Sequence, residues 1–481
     1  MLTRTSTQSL TGQLADRLAE RIRTRLLPPG ARLPSVRECA RQQGVSPYTV
    51  VAAYDQLLAQ GLVEARRQRG FYVRDAAPVQ DGRPANGADA AGVIGMPAAI
   101  AVQMMASRVP ADASSLIRSM FHRPSDKPQP GMGVFPPDWM SSTFMPTAVR
   151  RMTNTAALQE LSLQYGEPAG DMSLRRSLSQ KLVGINVPAS PDQIVTTIGA
   201  THALDIVSRT LLRAGDPVMV EEPGWALEFA RLEALGMRIL PVPRRADGPD
   251  LEVMAQYCKL HSPKLFVSVS VLHNPTGYSL TPGSAHRVLK LANEYDFHIV
   301  EDDTYSHLAP EHATRLSALD GLQRTIYVSG FAKILAPNWR IGFFAAPPAL
   351  KERLLETKLL ATLTSPTLFE RALSWCIDQG QLRRHSERVR IRLDGARGRA
   401  VKLAMSHGCT FASEPAGLFG WVDTGVDTDA LTQRMLDQGY LLAPGSLFHA
   451  RRPPSTMMRI NFATSQDATF WKVFSKVRDE L

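Results

Sequence analysis

The sequence predicts two parts: a small, mainly helical N-terminal head closed by a β-hairpin, and a larger α/β body on a mainly parallel sheet. Three observations carry this. Three capped or amphipathic helical segments and an arginine-rich hairpin fill residues 1–75. A stretch rich in Ala, Gly, Pro and Asp, without apolar periodicity, follows them. Beyond it, short apolar runs alternate with helical segments, the pattern of strands joined by crossover helices.

In the head, Leu10, Leu14, Leu18, Ile22 and Leu26 recur every four residues as one apolar stripe of a first helix, stopped by Pro28, Pro29 and Gly30. Ser35 with Glu38 three later predicts a capping box for a second helix, ending near Gly44. Ser46 caps a third helix with Pro47 at its first position, Val50, Ala53, Tyr54 and Leu57 on its buried side, and Gly61 at its end. Leu62 to Glu64 and Phe71 to Val73 are short strands around the turn Arg66 to Gly70. Helix, helix, turn, helix and basic hairpin make a winged helix-turn-helix. Residues 1–75 hold 12 Arg, no Lys and 6 Asp+Glu, a net +6 within a chain of net +10. A basic head on a larger body points to a polyanionic partner.

DAAPVQDGRPANGADAAG reads as a flexible linker, placed at 76–110, and Met104 to Phe121 as the first helix of the body. The strands expected after it are Gln193 to Thr197, Pro217 to Glu221, Arg238 to Val242, Leu265 to Val271, His298 to Asp302, Thr325 to Ser329 and Ile341 to Ala345. The body then covers 111–481, with a large part at about 135–345 and a smaller C-terminal α+β part at about 346–481 that holds GLFGWVDTG and Arg459. Cys39, Cys258, Cys376 and Cys409 are scattered without a CxxC, so neither a disulfide framework nor a metal site is expected. No signal peptide is read at the N-terminus, and the apolar run Val93 to Ala106 is too short to span a bilayer. The expected location is the cytoplasm, with no membrane contact.

The chemistry centres on VSGFAKILAPNWRIGF, Val328 to Phe344. Lys333 stands in a small polar turn after one apolar strand, and Arg340 leads into another. A lysine held near an apolar core loses its proton readily and attacks carbonyls. An arginine is a permanently charged fork for phosphate. An amine for an aldehyde and a cation for a phosphate are what pyridoxal phosphate (PLP) requires. Upstream, HNPTG (His273 to Gly277), IVEDDTYSHL (Ile299 to Leu308) and TTIGATHALDIVSRTLL (Thr196 to Leu212) each put polar groups at the carboxyl end of a strand, where open α/β sheets bind ligands.

From about Phe135 onward these motifs resemble the fold-type-I, PLP-dependent aminotransferases, in the same order. The resemblance implies that Lys333 carries the internal aldimine and Asp302 pairs with the pyridinium nitrogen. Asn274 and Tyr305 then reach the phenolic oxygen, and Gly199, Ala200 and Thr201 open a helix onto the phosphate, with Arg340 beside it. Trp225 in EEPGW stacks on the ring. Tyr165 in YGEPAGDMSLR reaches the phosphate of a neighbouring subunit. Arg459 in MMRINFA grips a substrate carboxylate, beside Asn274, and His273 is structural. The chain departs from the family at Gly330 and Ala332, where hydroxyl residues are usual, which leaves Ser329 to supply a phosphate bond.

PPGARLPSVRECARQQGVSPYTVVAAYDQLLAQGLVE is similar to the GntR-type DNA-binding domain over about Ser9 to Val73. The contacts it implies are Arg37, then Ser46, Tyr48 and Thr49 at the start of the recognition helix, and the wing arginines Arg66, Arg67 and Arg69. Pro47 and Val51 stand where members carry arginine. The joint architecture resembles the MocR-type transcriptional regulators. That implies a PLP-bound, head-to-tail homodimer on a double-stranded DNA operator, sensing an amino acid or related amino compound through an external aldimine. Two alternatives stay open: an active aminotransferase, amino acid to 2-oxo acid, carrying a DNA-binding head, and a regulator whose body is only a dimerisation scaffold.

Overall fold

The computed structural model describes residues 9–23, 27–66, 70–74, 125–142, 144–153, 159, 163–335 and 337–481. The linker and the helix expected at Met104 to Phe121 lie outside them. The chain separates into two compact units, Met1–Lys127 with Asp429–Leu441, and Pro128–Thr428 with Leu442–Leu481.

In the first unit, α1 (Leu10–Arg23) buries Leu14, Leu18 and Ile22, and α3 (Pro47–Ala59) buries Val50, Ala53, Tyr54 and Leu57 in the same core. Each buried aliphatic side chain stabilises by about 1.5–3 kcal/mol relative to exposure. The Tyr54 hydroxyl would be costly in that core unpaired. It donates to Pro34 O at 2.9 Å, tying α3 to the segment ahead of α2 (Val36–Gln43). The capping box forms only in its forward half. Ser35 Oγ accepts from Glu38 N at 3.3 Å, while the Glu38 carboxylate accepts from Gln42 Nε2 at 3.5 Å. Gly44 ends α2 in the left-handed region, φ 65°. The wing pairs β1 (Val63–Arg66) antiparallel with β2 (Gly70–Val73). Its other edge is also covered, because Leu33 N donates to Phe71 O and Val73 N to Ala31 O, both at 2.9 Å. The sequence did not announce that third extended segment. Residues 429–441 belong to this unit although they fall in the C-terminal stretch by sequence, and Arg21 Nη2 of α1 meets Asp437 Oδ1 at 2.9 Å.

The second unit is built on strands β3 (Ile194–Thr197), β4 (Pro217–Glu222), β5 (Arg238–Arg245), β6 (Gly248–Pro249), β7 (Leu265–Ser268), β8 (His298–Asp302), β9 (Thr325–Gly330) and β10 (Gly342–Ala345). Their order is β3-β10-β9-β8-β7-β4-β5-β6. From β9 to β5 every pair is parallel, while β10 runs antiparallel to both β3 and β9. Near-continuous burial along β3, β4, β7 and β9 fits a sheet covered on both faces. β7 stops at Ser268, three residues earlier than its apolar run, because Val269 N turns to Glu221 Oε2 at 2.8 Å.

A second, antiparallel sheet has the order β11 (Thr410–Phe411), β12 (Phe419–Asp423), β14 (Met457–Asn461), β13 (Ala443–Pro444). β14 presents Arg459. No described helix is long and apolar enough to cross a membrane.

The start of α3 depends on one hydroxyl, since Ser46 Oγ accepts from Thr49 N at 3.1 Å. Ser46→Ala should lower the stability of the head by about 1 kcal/mol in denaturant melts. An unchanged midpoint would show that the cap contributes nothing.

Candidate functional site

Glycines bring a helix end onto the sheet. Gly330 of β9 lies opposite Gly342 of β10, and both face the first turn of the helix Ala200–Leu211. A Cβ on Gly342 would stand 2.3 Å from Gly199 C and 2.5 Å from Ala200 N, and one on Gly330 3.3 Å from Ala200 N. At 342 only glycine permits this approach, while at 330 a side chain would be a tight fit. The amides of Ala200 and Thr201 have no acceptor among the described residues. Arg340, in a left-handed conformation at φ 52°, lays its guanidinium beside Gly199 and donates to Ile198 O at 3.1 Å. Free amides, a helix dipole and a guanidinium form an anion cradle.

Ser329 does not join it. Residues alternate along β9, so Ser329 points to the other face and its hydroxyl donates to Asp303 O at 2.9 Å. The phosphate bond expected of it is therefore absent, and bare glycine faces the cradle at 330.

At the end of β8, Asp302 Oδ1 accepts from Thr304 N at 3.0 Å and from the Thr304 hydroxyl. Oδ2 has no partner among the described residues. Desolvation pushes this carboxyl up to about 6, opposed by the Thr304 bonds and reinforced by the charges of Glu228 and Asp303. Trp225 and His273 share a pocket with Asp302. His273 is a structural residue: Nδ1 meets Thr276 Oγ1 at 2.9 Å, Nε2 faces Glu221 at 3.5 Å, and burial holds the ring neutral.

Lys333 Nζ donates to Gly133 O at 2.9 Å. Desolvation, then the neighbouring charge of Arg459, lowers its pKa to about 8. Arg459 is 5% exposed. It donates to Asn274 Oδ1 at 3.1 Å and to Gly131 O at 2.6 Å, while its Nε is buried without a partner among the described residues. Its guanidinium lies 4.4 Å over the Phe419 ring and 5.2 Å from that of Phe448. Tyr305 is buried edge-on to Phe419 at 5.6 Å, and burial raises its hydroxyl pKa.

Sequence reasoning missed the strap over these groups. Asn461 Nδ2 donates to Met132 O at 2.9 Å and Val134 O at 2.8 Å, which aims the carbonyls of Gly131 and Gly133 at the two cations. The paired glycines of PGMG were the available signal. Tyr165 is brought to none of these groups and stands 82% exposed.

The donor set fits PLP. The cradle suits a phosphate, the open oxygen of Asp302 a cationic ring nitrogen, the Trp225 side chain a flat ring, and the deprotonable Lys333 an aldehyde.

On the head, Arg37 is exposed with no hydrogen bond among the described residues. Tyr48 is 82% exposed at the first turn of α3. Ser46 and Thr49 serve the cap, with hydroxyls 2.8 Å apart. Arg66 pairs with Glu64 at 2.8 Å and covers the Tyr72 ring at 4.4 Å, so it is anchored to the wing. Arg67 and Arg69 lie outside the described residues. Arg32, not anticipated, sets its Nε 3.5 Å from where a Cβ on Gly70 would be, adding a cation beside the hairpin.

Residues 132–476 match the family model of aminotransferase class I and II, and residues 10–73 that of the gntR family of bacterial regulatory proteins. The chain is 28% identical to the uncharacterized HTH-type transcriptional regulator YdcR of Escherichia coli, over 94% of each chain. It is 29% identical to the probable rhizopine catabolism regulatory protein MocR of Rhizobium meliloti, over 79% of this chain and 73% of that one. The crystal structure of Pyrococcus horikoshii kynurenine aminotransferase superposes with TM-score 0.69 at 25% identity, covering 79% of this chain and 96% of that one. The chain belongs to the aminotransferase class I and II family, and its gntR-family head gives it the MocR-type architecture of a DNA-binding, PLP-dependent transcriptional regulator.

Proposed function

We propose that the body senses an amino acid or related amino compound and that the head reports it to an operator. One observation carries this reading. Lys333, whose amine is deprotonable, lies within reach of the charges of the buried Arg459, of Asp302 and of Arg340, in a chain whose residues 10–73 match the gntR family. We take 1–75 as the head, 76–110 as the linker and 111–481 as the body.

When bound, PLP supplies an aldehyde that exchanges between amines and a ring that withdraws electrons. The residues then have distinct tasks. Lys333 would hold the cofactor, and as a free amine it would accept or return a proton beside the ligand. Asp302 keeps the ring nitrogen protonated. Gly199, Ala200, Thr201 and Arg340 hold the phosphate, and Trp225 covers the ring. Asn274 and Tyr305 approach its phenolic oxygen. Arg459, with Asn274 beside it, takes the carboxylate of the incoming compound in place of the Gly131 carbonyl.

A homodimer completes the site in this reading. Tyr165, too exposed for its own pocket, reaches the phosphate of a second copy. Leu163 at 80% and Leu360 at 92% exposure add apolar surface of the kind a partner covers. The head grips its operator through Arg37, Tyr48 and the first turn of α3, with wing arginines on phosphates.

A second reading is favoured by the same lysine: with Lys333 present, the body retains what proton transfer in a working aminotransferase requires. Visible absorption separates the two. A sensor's band shifts when one amine is added and stays shifted. A transaminase's band bleaches and returns with a keto acid. In either case Lys333→Ala should lose the band of the bound cofactor while remaining folded, and an unfolded variant would mark a structural lysine instead. Arg37→Ala should weaken operator binding and reduce the salt slope by about 0.9 per lost phosphate contact. An unchanged affinity and slope would remove Arg37 from the DNA surface.

A further inference from the structure

One buried acid of the pocket has no role in the reading above. Glu228 lies three residues beyond Trp225 at the start of the helix Ala226–Ala234, so both side chains occupy one helix face. It is 3% exposed and shares the wall of a single pocket with Trp225 and Asp302. Its charge is held by Arg231, through Nη2–Oε1 at 2.5 Å and Nε–Oε2 at 3.2 Å. Arg231 in turn sits 3.9 Å from Asp205, which pairs with Arg209 at 2.7 Å. The pocket's other acid, Glu221, is differently placed. It is satisfied by Arg244 at 2.6 Å, Ser268 Oγ at 3.1 Å and Val269 N at 2.8 Å. Glu228 takes only Arg231 among the described residues and keeps lone pairs free.

We infer that Glu228 is a further positioning residue of the cofactor pocket, a second acid that acts through Asp302 to strengthen the hold on a cationic ring nitrogen. The inference rests on assigning this pocket to PLP. Of the Glu228–Arg231 pair it is the carboxylate that lines the pocket with Asp302, so the negative end of the pair faces Asp302 in a desolvated wall, where charges interact strongly. That charge favours a bound ring cation, and it also favours a proton on Asp302 when no cation is present. The two effects are linked: the ring nitrogen and a proton compete for Asp302. The other groups facing Asp302 are the Thr304 hydroxyl and amide, Asp303, Tyr305 and Lys333, and Glu221, paired with Arg244 as Glu228 is with Arg231, lines the same pocket. Asp302 titrates at about 6, so affinity for the ring should fall as pH drops through that value.

The test uses the cofactor-free full chain and pyridoxine 5′-phosphate, which has the ring and phosphate but no aldehyde, so Lys333 forms no bond to it. Dissociation constants are measured from pH 5 to 8. Glu228→Gln should weaken binding roughly tenfold at pH 7.5 and move the acid-side loss of affinity down by roughly one pH unit. Glu228→Asp should restore the wild-type profile. If Glu228→Gln lowers thermal stability but leaves the pH midpoint unmoved, the residue only anchors its helix and the inference fails. If the wild-type chain does not bind the probe at any pH, the assignment of the pocket to PLP fails, and the inference with it.

Discussion

Charge placed out of water must be paired or neutralised, and that constraint shapes the whole body of this protein. Arg459, Lys333, Asp302 and Glu228 all converge on the carboxyl edge of the sheet, and each meets a group that limits the cost. Backbone carbonyls of Gly131 and Gly133 accept hydrogen bonds from Arg459 and Lys333. Thr304 covers one oxygen of Asp302. Arg231 holds Glu228. What is left over is informative: Asp302 Oδ2, Arg459 Nε and the amides of Ala200 and Thr201 have no partner among the described residues. A ligand with a phosphate, a ring nitrogen and a carboxylate would meet unmet demand at its two ends and along one edge.

Glycine makes the arrangement sterically possible. β10 approaches the helix Ala200–Leu211 only because position 342 lacks a Cβ, and the bare glycine at 330 eases the fit of β9. At 330 the absence of a hydroxyl leaves the cradle to backbone amides and Arg340. The same economy appears in the strap, where glycine carbonyls rather than side chains meet the cations. Such a strap is readily exchanged for a ligand carboxylate, since its hydrogen bonds are replaced in kind.

Much of this was legible in the sequence, for reasons that differ from residue to residue. The strands around Val195, Val220 and Val328 are apolar because both sheet faces are covered, so periodicity located them to within a residue or two. Lys333, Asp302 and Asn274 drew attention because each ends or follows a strand in a compact motif, and Arg459 because it is a lone charge inside the apolar run MMRINFA. Ser329 was misjudged because one position of register decides which face a strand residue serves. Glu228 was overlooked because Glu and Arg three apart resemble an ordinary solvated helix pair until burial is known. The capping box at Ser35 closed only halfway, because Gln42 competes for the Glu38 carboxylate. Gly131 and Gly133 carry no side-chain chemistry, so PGMG hinted only at a turn, and their carbonyl directions reveal the role.

The central claim is that the pocket and the DNA-binding head share one equilibrium. It is tested most directly by titrating labelled operator into the PLP-loaded chain at fixed salt, with and without an amino compound that shifts the visible band. The expected result is a change in operator affinity of about 5–150-fold, with the operator changing the affinity for the compound by the same factor, as linkage requires. A compound that shifts the band and leaves operator affinity unchanged would contradict the claim, and would leave the body an enzyme that happens to carry a DNA-binding head.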